Sequence, residues 1–287
     1  VSGALRWLMP EVPLARLAWF RAIVALTAVV DIFLILSSPR QRATTPALYD
    51  PIPLARALQL PAPTPTITGA LTLLIVAGAL GVLLGGLRPT PAWVQHLAGA
   101  VLGCAYLLWC TYGMSFGYVA HDHTAIIVAA LLLPTAGTAR YVDLQETRST
   151  GAGWALRMVQ VFTVATYTGS VLAKWVMSGH DLVRWAQSGT FVWAFLRRPN
   201  PLNELLVQHG AVLRLGQWGV LALELAAPLV WVVRERWRWV VAAIFLGFHL
   251  ATFALLGIHF LPTLVCWAAF LPLERYAARI RRRADIS

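Results

Sequence analysis

The sequence of 287 residues is 59% hydrophobic and 12% charged, whereas a soluble globular domain is about 45–50% apolar and about 25% charged. That excludes an ordinary soluble fold and marks a membrane protein. Lys and Arg total 23 against 12 Asp and Glu; 22 of the 23 are arginine, and Lys174 is the single lysine. The arginines lie beside and between apolar runs and do not form one solvated basic face. The formal charge of +11 therefore does not make a nucleic-acid binder. Cys104, Cys110 and Cys266 sit inside apolar stretches with no C-x-x-C spacing, which argues against a disulfide framework, a zinc site or a redox motif.

A helix needs about 20 apolar residues to cross a bilayer. Runs bounded by charge, Pro or Gly clusters predict spans at Leu14 to Leu36, Ile67 to Leu87, Ala92 to Tyr112, Val119 to Ala139, Gly153 to Met177, Ala211 to Val233, Trp237 to Ile258 and His259 to Leu273. The last is 15 residues long and carries Pro262, so seven spans with a re-entrant segment stand as the alternative to eight. The first run is too long for a secretory signal peptide and is expected to remain as an anchor. Between spans, the Pro-rich Ser37 to Thr66 and the aromatic Ser178 to Gly210 are expected to lie at the membrane surface. The expected fold is an all-α, polytopic transmembrane bundle of about eight spans, residues 14–273, followed by a basic tail, residues 274–287, with no soluble domain.

Arginine placement predicts the orientation. With eight spans and the N-terminus inside, the inner segments hold 12 arginines, including Arg88, Arg140, Arg148 and the Arg234, Arg236, Arg238 group, while the outer segments hold six. The positive-inside rule then puts both termini in the cytoplasm and the chain in the cell's inner (plasma) membrane. Arg16 and Arg21 are expected at the inner headgroup level.

Ionisable groups within spans are costly and commonly functional. On the fifth span Gln160, Thr163, Tyr167, Ser170 and Lys174 are spaced 3, 4, 3 and 4, which places them on one side of a helix. On the sixth, Arg214, Gln217 and Glu224 share a side; on the seventh, His249, Thr252, Leu256 and His259 do the same. The fourth span opens with His121, Asp122 and His123. In the orientation above, Lys174, His121 to His123 and His259 lie toward the outer surface, with His249, Glu224 and Asp31 deeper, and all are expected to converge on one polar cavity. Each has a plainer reading. Lys174 can snorkel to the interface, Asp122 and His123 can cap a helix, and Glu224 with Arg214 can be a structural ion pair. Positions two apart point to nearly opposite sides of a helix, so no metal site is expected at His121 and His123. What distinguishes Lys174 from the 22 arginines is chemistry: arginine stays protonated, whereas a desolvated lysine can lose its proton and act as a base.

The segments Leu14 to Arg21 (LARLAWFR), Ala120 to Thr124 (AHDHT), Tyr167 to Trp175 (YTGSVLAKW), Glu224 to Pro228 (ELAAP) and Phe248 to Pro262 (FHLATFALLGIHFLP) together resemble the HTTM domain. That is the membrane domain of vitamin K-dependent gamma-carboxylase and its bacterial relatives. The resemblance covers roughly Leu14 to Leu273. It implies that Lys174 matches the lysine that deprotonates a reduced naphthoquinone, of the vitamin K or menaquinone type, so that oxygen can attack it. The product is a base strong enough to take a proton from a glutamate side chain, and the carbanion then captures carbon dioxide. It also implies that Asp122 and His123 match an Asn-His pair near the glutamate, with Asp in place of Asn, and that His249 matches the histidine of a Phe-His motif. The large lumenal region that binds the carboxylase's protein substrate has no counterpart in this sequence.

Two functions are carried forward. The first is a carboxylase-like or quinol-epoxidising membrane enzyme. In it Lys174, His123, Asp122 and His249 are catalytic, and His121, Tyr167, Ser170, Glu224, Thr252 and His259 line the pocket. Its partners are the lipid bilayer, a quinol, and a small secreted peptide or a lipid as second substrate, with no nucleic acid. The alternative is a non-catalytic membrane module that binds or moves a small ligand, or assists maturation of a secreted partner.

Overall fold

The computed structural model describes residues 3–36, 38–142 and 147–275; the expected basic tail lies, apart from Glu274 and Arg275, outside the described residues. The described residues are mainly helical, and the chain divides into two units, residues 1–162 with 272–287, and residues 163–271.

The first unit begins with a short helix α1 (Gly3–Leu8) and a two-residue strand β1 (Val12–Pro13), which pairs antiparallel with β2 (Arg148–Ser149). Helix α2 (Leu14–Val30) continues into a π-helical turn over Asp31–Ile35. The Pro-rich connection is not open chain: it folds into α3 (Ser38–Arg42), a 3-10 turn (Pro46–Leu48) and α4 (Pro53–Ala57). It is fastened by Arg42 Nη1 donating to Gly113 O at 2.6 Å and by Arg40 lying 4.3 Å over the Phe33 ring. Thr64 caps α5 (Pro65–Leu87), with proline at its first position, where no intrahelical N–H partner is lost. Helix α6 (Ala92–Met114) follows, then a 3-10 turn (His121–His123), α7 (Thr124–Leu132) and a further 3-10 turn (Leu133–Ala136). Proline at 134, followed by Gly137 at φ 82°, ends that segment.

Close helix packing in this unit depends on glycine. A Cβ at Gly103 would stand 2.5 Å from the Ala130 carbonyl oxygen and one at Gly78 would stand 2.8 Å from the Leu102 nitrogen, so the backbones of α5, α6 and α7 approach as small residues allow. Leu17, Phe20, Ile32, Ile75, Tyr106 and Trp109 are fully buried. Arg16 is buried within the protein, its Nε and Nη2 donating to the two Glu274 carboxylate oxygens at 2.9 Å each.

Helix α8 (Thr150–Met177) runs through residue 162, and its later part belongs to the second unit. That unit continues with three short helices, α9 (Leu182–Ala186), α10 (Thr190–Leu196) and α11 (Pro201–Val207), then α12 (Gly210–Ala226), α13 (Arg238–Leu256) and α14 (Leu261–Cys266). Asp181 caps α9, and an Asn200–Asn203 capping box starts α11. Asn200 and Asn203 each donate to Leu255 O at 2.9 Å, and Arg198 donates to Leu256 O at the same distance, satisfying the open carbonyls at the end of α13. A core of Val164, Tyr167, Ala227, Val230, Phe245, Trp267 and Phe270 binds the unit.

Five stretches among the described residues are long and apolar enough to cross a bilayer: Leu14–Ile35, Pro65–Leu87, Ala92–Met114, Gly210–Trp231 and Glu235–Leu256. Their outer surfaces are leucine, valine and tryptophan uncovered by protein, such as Leu73, Leu80, Leu215 and Leu250. This is an all-α membrane protein.

Candidate functional site

Most of the expected site residues fall into polar groups, two in the second unit and one in the first. In the second unit, Lys174 lies in the last turn of α8, Ser170 one turn before it, and Glu224 near the end of α12. Lys174 Nζ donates to Glu224 Oε2 at 2.7 Å, to Oε1 at 2.8 Å and to Ser170 Oγ at 2.6 Å. Ser170 Oγ in turn donates to Glu224 Oε1 at 3.0 Å. The two charged side chains keep 15% and 6% of their surface, so the pair is largely withdrawn from its surroundings. The Trp185 ring lies 5.1 Å from Nζ, close enough for a cation–π contribution. Trp185 is held by Gln217, whose Nε2 donates to Trp185 O at 2.9 Å while its Oε1 accepts from Phe191 N at 3.0 Å.

The partner of Glu224 is therefore Lys174 and not Arg214. Arg214 shares a helix with Glu224 but is exposed, and among the described residues it makes no ion pair. A buried carboxylate takes the nearest cation that its packing delivers, here one from α8.

Deeper along α8, Tyr167 joins a second group in the same unit. Trp267 Nε1, a donor only, gives its hydrogen to Tyr167 Oη at 3.0 Å, and Tyr167 Oη lies 2.7 Å from His249 Nε2. The histidine is packed among rings, with Phe248 at 4.8 Å and Phe260 at 4.9 Å between centroids; Phe245 stacks on Trp267 at 4.3 Å. Thr252 is not part of this group: its hydroxyl donates back to Phe248 O at 2.9 Å within α13. Nor does His259 share a helical face with His249. Helix α13 stops at Leu256 because Gly257 adopts φ 62°, the left-handed cap that glycine tolerates, and His259, beyond it, is exposed.

In the first unit, His123 is almost fully buried, at 2% exposure, between two carboxylates. Its Nε2 lies 3.0 Å from Asp31 Oδ1 and its Nδ1 lies 3.1 Å from Asp122 Oδ1. Tyr106 Oη donates to Asp31 Oδ2 at 2.9 Å. Ionised carboxylates accept only, so an imidazole between two of them is satisfied when both ring nitrogens carry hydrogen. His121 is exposed at the head of the same turn.

Tyr106 is the partner that reasoning from sequence passed over, whereas Asp31, expected among the polar groups, does meet His123. The signal was present for Asp31, a carboxylate within an otherwise apolar run of α2; its place in a π-helical turn, a feature frequent at functional sites, was not legible. No known protein family, curated protein or solved structure matches this chain. The fold and these polar groups define its class, an all-α membrane protein with ion pairs buried in its helical units.

Proposed function

We propose that the chain is a membrane enzyme of the HTTM kind whose substrate is a reduced naphthoquinone, of the vitamin K or menaquinone type, with Lys174 as the base. The observation that carries this reading is the surroundings of the only lysine: a largely buried amine 2.7 and 2.8 Å from the Glu224 carboxylate oxygens, beneath an indole ring. The substrate brings an acidic hydroxyl and, once deprotonated, an electron-rich ring that oxygen attacks.

Lys174 accepts a proton only as the neutral amine, and Glu224 is placed to produce it. Transfer of one ammonium proton to Glu224 converts the ion pair to an amine and a carboxylic acid, and the amine then takes the quinol's proton. Ser170 bonds both partners and holds them in register. Trp185, Tyr167, Phe245 and Trp267 supply flat apolar surfaces of the kind a bicyclic ring requires, and Tyr167 fixes the His249 ring by its hydroxyl. His123 and Asp122, with Asp31, provide a second protonatable group in the first unit. The second substrate in this reading is a small secreted peptide or a lipid. Eight crossings with cytoplasmic termini in the plasma membrane belong to the same proposal, supported by the 12 to six division of arginines.

One observation favours the alternative, a non-catalytic module that binds or moves a small ligand or assists maturation of a secreted partner: every hydrogen of the Lys174 ammonium has an acceptor within Ser170 and Glu224, as in a purely structural ion pair. The two readings separate when protein in lipid is incubated with reduced menaquinone and oxygen and the quinone is analysed by mass spectrometry. The enzyme reading predicts epoxide from the wild type and none from Lys174→Arg, which keeps the charge and removes the base. Equal outcomes for the two proteins favour the module.

A further inference from the structure

The first unit contains a small, partly open cleft among α2, α5, α6 and the end of the α7 segment, lined by Arg21, Val24, Val82, Gln95, Leu102 and Leu133 with proline, glycine and alanine on the remaining wall. All of these elements meet here near one end of the bundle: Arg21 is in the second turn of α2, Gln95 in the first turn of α6, and Leu133 to Gly137 close the α7 segment. Among the described residues Arg21 is the only charged side chain lining the cleft.

Its guanidinium is held but not neutralised. Nε and Nη2 donate to Leu133 O, and Nη2 also donates to Gly137 O at 2.7 Å, so the group closes the carbonyl end of that helix. Among the described residues no carboxylate reaches it, and Nη1, with two N–H groups, makes no hydrogen bond to protein. The neighbouring polar side chain offers no help. Gln95 is consumed within the wall, its Nε2 donating to Gly85 O at 3.0 Å and to Thr90 Oγ1 at 3.1 Å and its Oε1 accepting from Ala139 N at 3.3 Å. A second donor lies nearby: Trp19 Nε1 is buried with no acceptor among the described residues, and its ring packs tilted at 4.7 Å against Tyr141, which covers the cleft-lining Gly86.

A cation in a largely apolar cleft between membrane-length helices requires an anion. Guanidinium with a free edge selects an oxyanion such as phosphate or carboxylate. The remaining wall is apolar, and the outer faces of α5 and α6 beside it, at Leu80, Leu84 and Leu97, are uncovered by protein and so meet lipid. We propose that this cleft binds the headgroup of an anionic phospholipid, with its phosphodiester on Arg21 and an acyl chain running past Val82 over the uncovered faces of α5 and α6 at Leu80, Leu84 and Leu97. The proposal is independent of the chemistry assigned to Lys174.

The test uses full-length protein purified in a neutral detergent and offered phosphatidylglycerol or phosphatidylcholine of the same acyl chains, with retained lipid measured by native mass spectrometry. The expected result is a preference for phosphatidylglycerol of about fivefold, the factor corresponding to the roughly 1 kcal/mol of attraction between one arginine and an anionic headgroup. Arg21→Gln is expected to abolish the preference and Arg21→Lys to keep part of it. Val82→Phe, which leaves Arg21 in place and fills the tail wall, is expected to reduce retention of both lipids and decides the matter if Arg21→Gln does not fold. A wild type without preference, an Arg21→Gln protein with full preference, or unchanged retention in Val82→Phe overturns the proposal. Inorganic phosphate is expected not to displace the lipid; displacement would show a free-anion site and overturn the lipid assignment.

Discussion

Replacing Glu224 by Gln removes one charge from the Lys174 pair while keeping the side chain's size and one carbonyl oxygen for Ser170. Opposite unit charges about 3 Å apart attract by about 5 kcal/mol at an effective dielectric constant of about 20. Desolvation of both groups offsets much of this in the intact pair, but not when one partner is lost. Breaking a buried pair by removing one partner costs about 3–5 kcal/mol, and since Lys174 keeps only 15% of its side-chain surface, the lower end, about 3 kcal/mol, is expected. At roughly 2–4 °C per kcal/mol for a chain of this length, Glu224→Gln lowers the melting temperature in lipid nanodiscs by about 6–12 °C. The cycle with Lys174→Met, Glu224→Met and the double variant isolates the pair. A neutral hydrogen bond within a membrane contributes about 0.6 kcal/mol on average in such cycles, whereas an ion pair here should give a coupling of about 2 kcal/mol or more, with the double variant more stable than Glu224→Gln. A coupling at or below about 0.6 kcal/mol would refute the assignment of Lys174 and Glu224 as a buried ion pair.

Arg214→Gln, on the same helix but exposed and without an ion pair, should change stability by less than about 0.5 kcal/mol in the same melting experiment. Asp31→Asn removes one of the two carboxylates holding His123; ring nitrogen NMR of histidine-labelled protein should then show loss of the doubly protonated form, and an unchanged spectrum would contradict its role. Tyr167→Phe deprives both Trp267 Nε1 and His249 Nε2 of their partner and is expected to cost about 1–3 kcal/mol, read as a lower melting point. Gly103→Val places a side chain against the Ala130 carbonyl oxygen, where even a Cβ would stand at 2.5 Å; it should reduce the yield of folded protein, and normal folding would argue against the close α6–α7 approach.

Much of the helical framework was legible because lipid-facing helices need long apolar runs, and the boundaries of α5 and α6 follow from Thr64 with Pro65 and from Pro91. The 3, 4, 3, 4 spacing also put Thr163 and Tyr167 on a buried face of α8. Partner choice was not legible, since it depends on which helices meet: Glu224 on α12 had a cation ten residues before it in Arg214, yet pairs with Lys174 across 50 positions, and His123 meets Asp31 across 92. The helical face containing His249 and His259 failed for a local reason, the left-handed Gly257, which ends the periodicity on which the inference rested. The expected fourth crossing, Val119 to Ala139, is built as a 3-10 turn, a nine-residue α-helix and another 3-10 turn, with Pro134 and Gly137 at its end. The two long connections fold into short helices because Asp181, Asn200 and Pro53 start them, signals too local to stand out in an apolar sequence.

Because Lys174 is the only lysine among 287 residues, nitrogen-15 labelling of lysine gives a single side-chain ζ resonance, and its behaviour in lipid tests the central claim directly. The account predicts an ammonium signal that shifts when Glu224 is changed to Gln and that shifts again when reduced menaquinone is added to the wild type, as the amine exchanges its proton with the quinol. A resonance indifferent to reduced menaquinone at saturating concentration would contradict a base at Lys174 and leave the lysine a structural partner of Glu224.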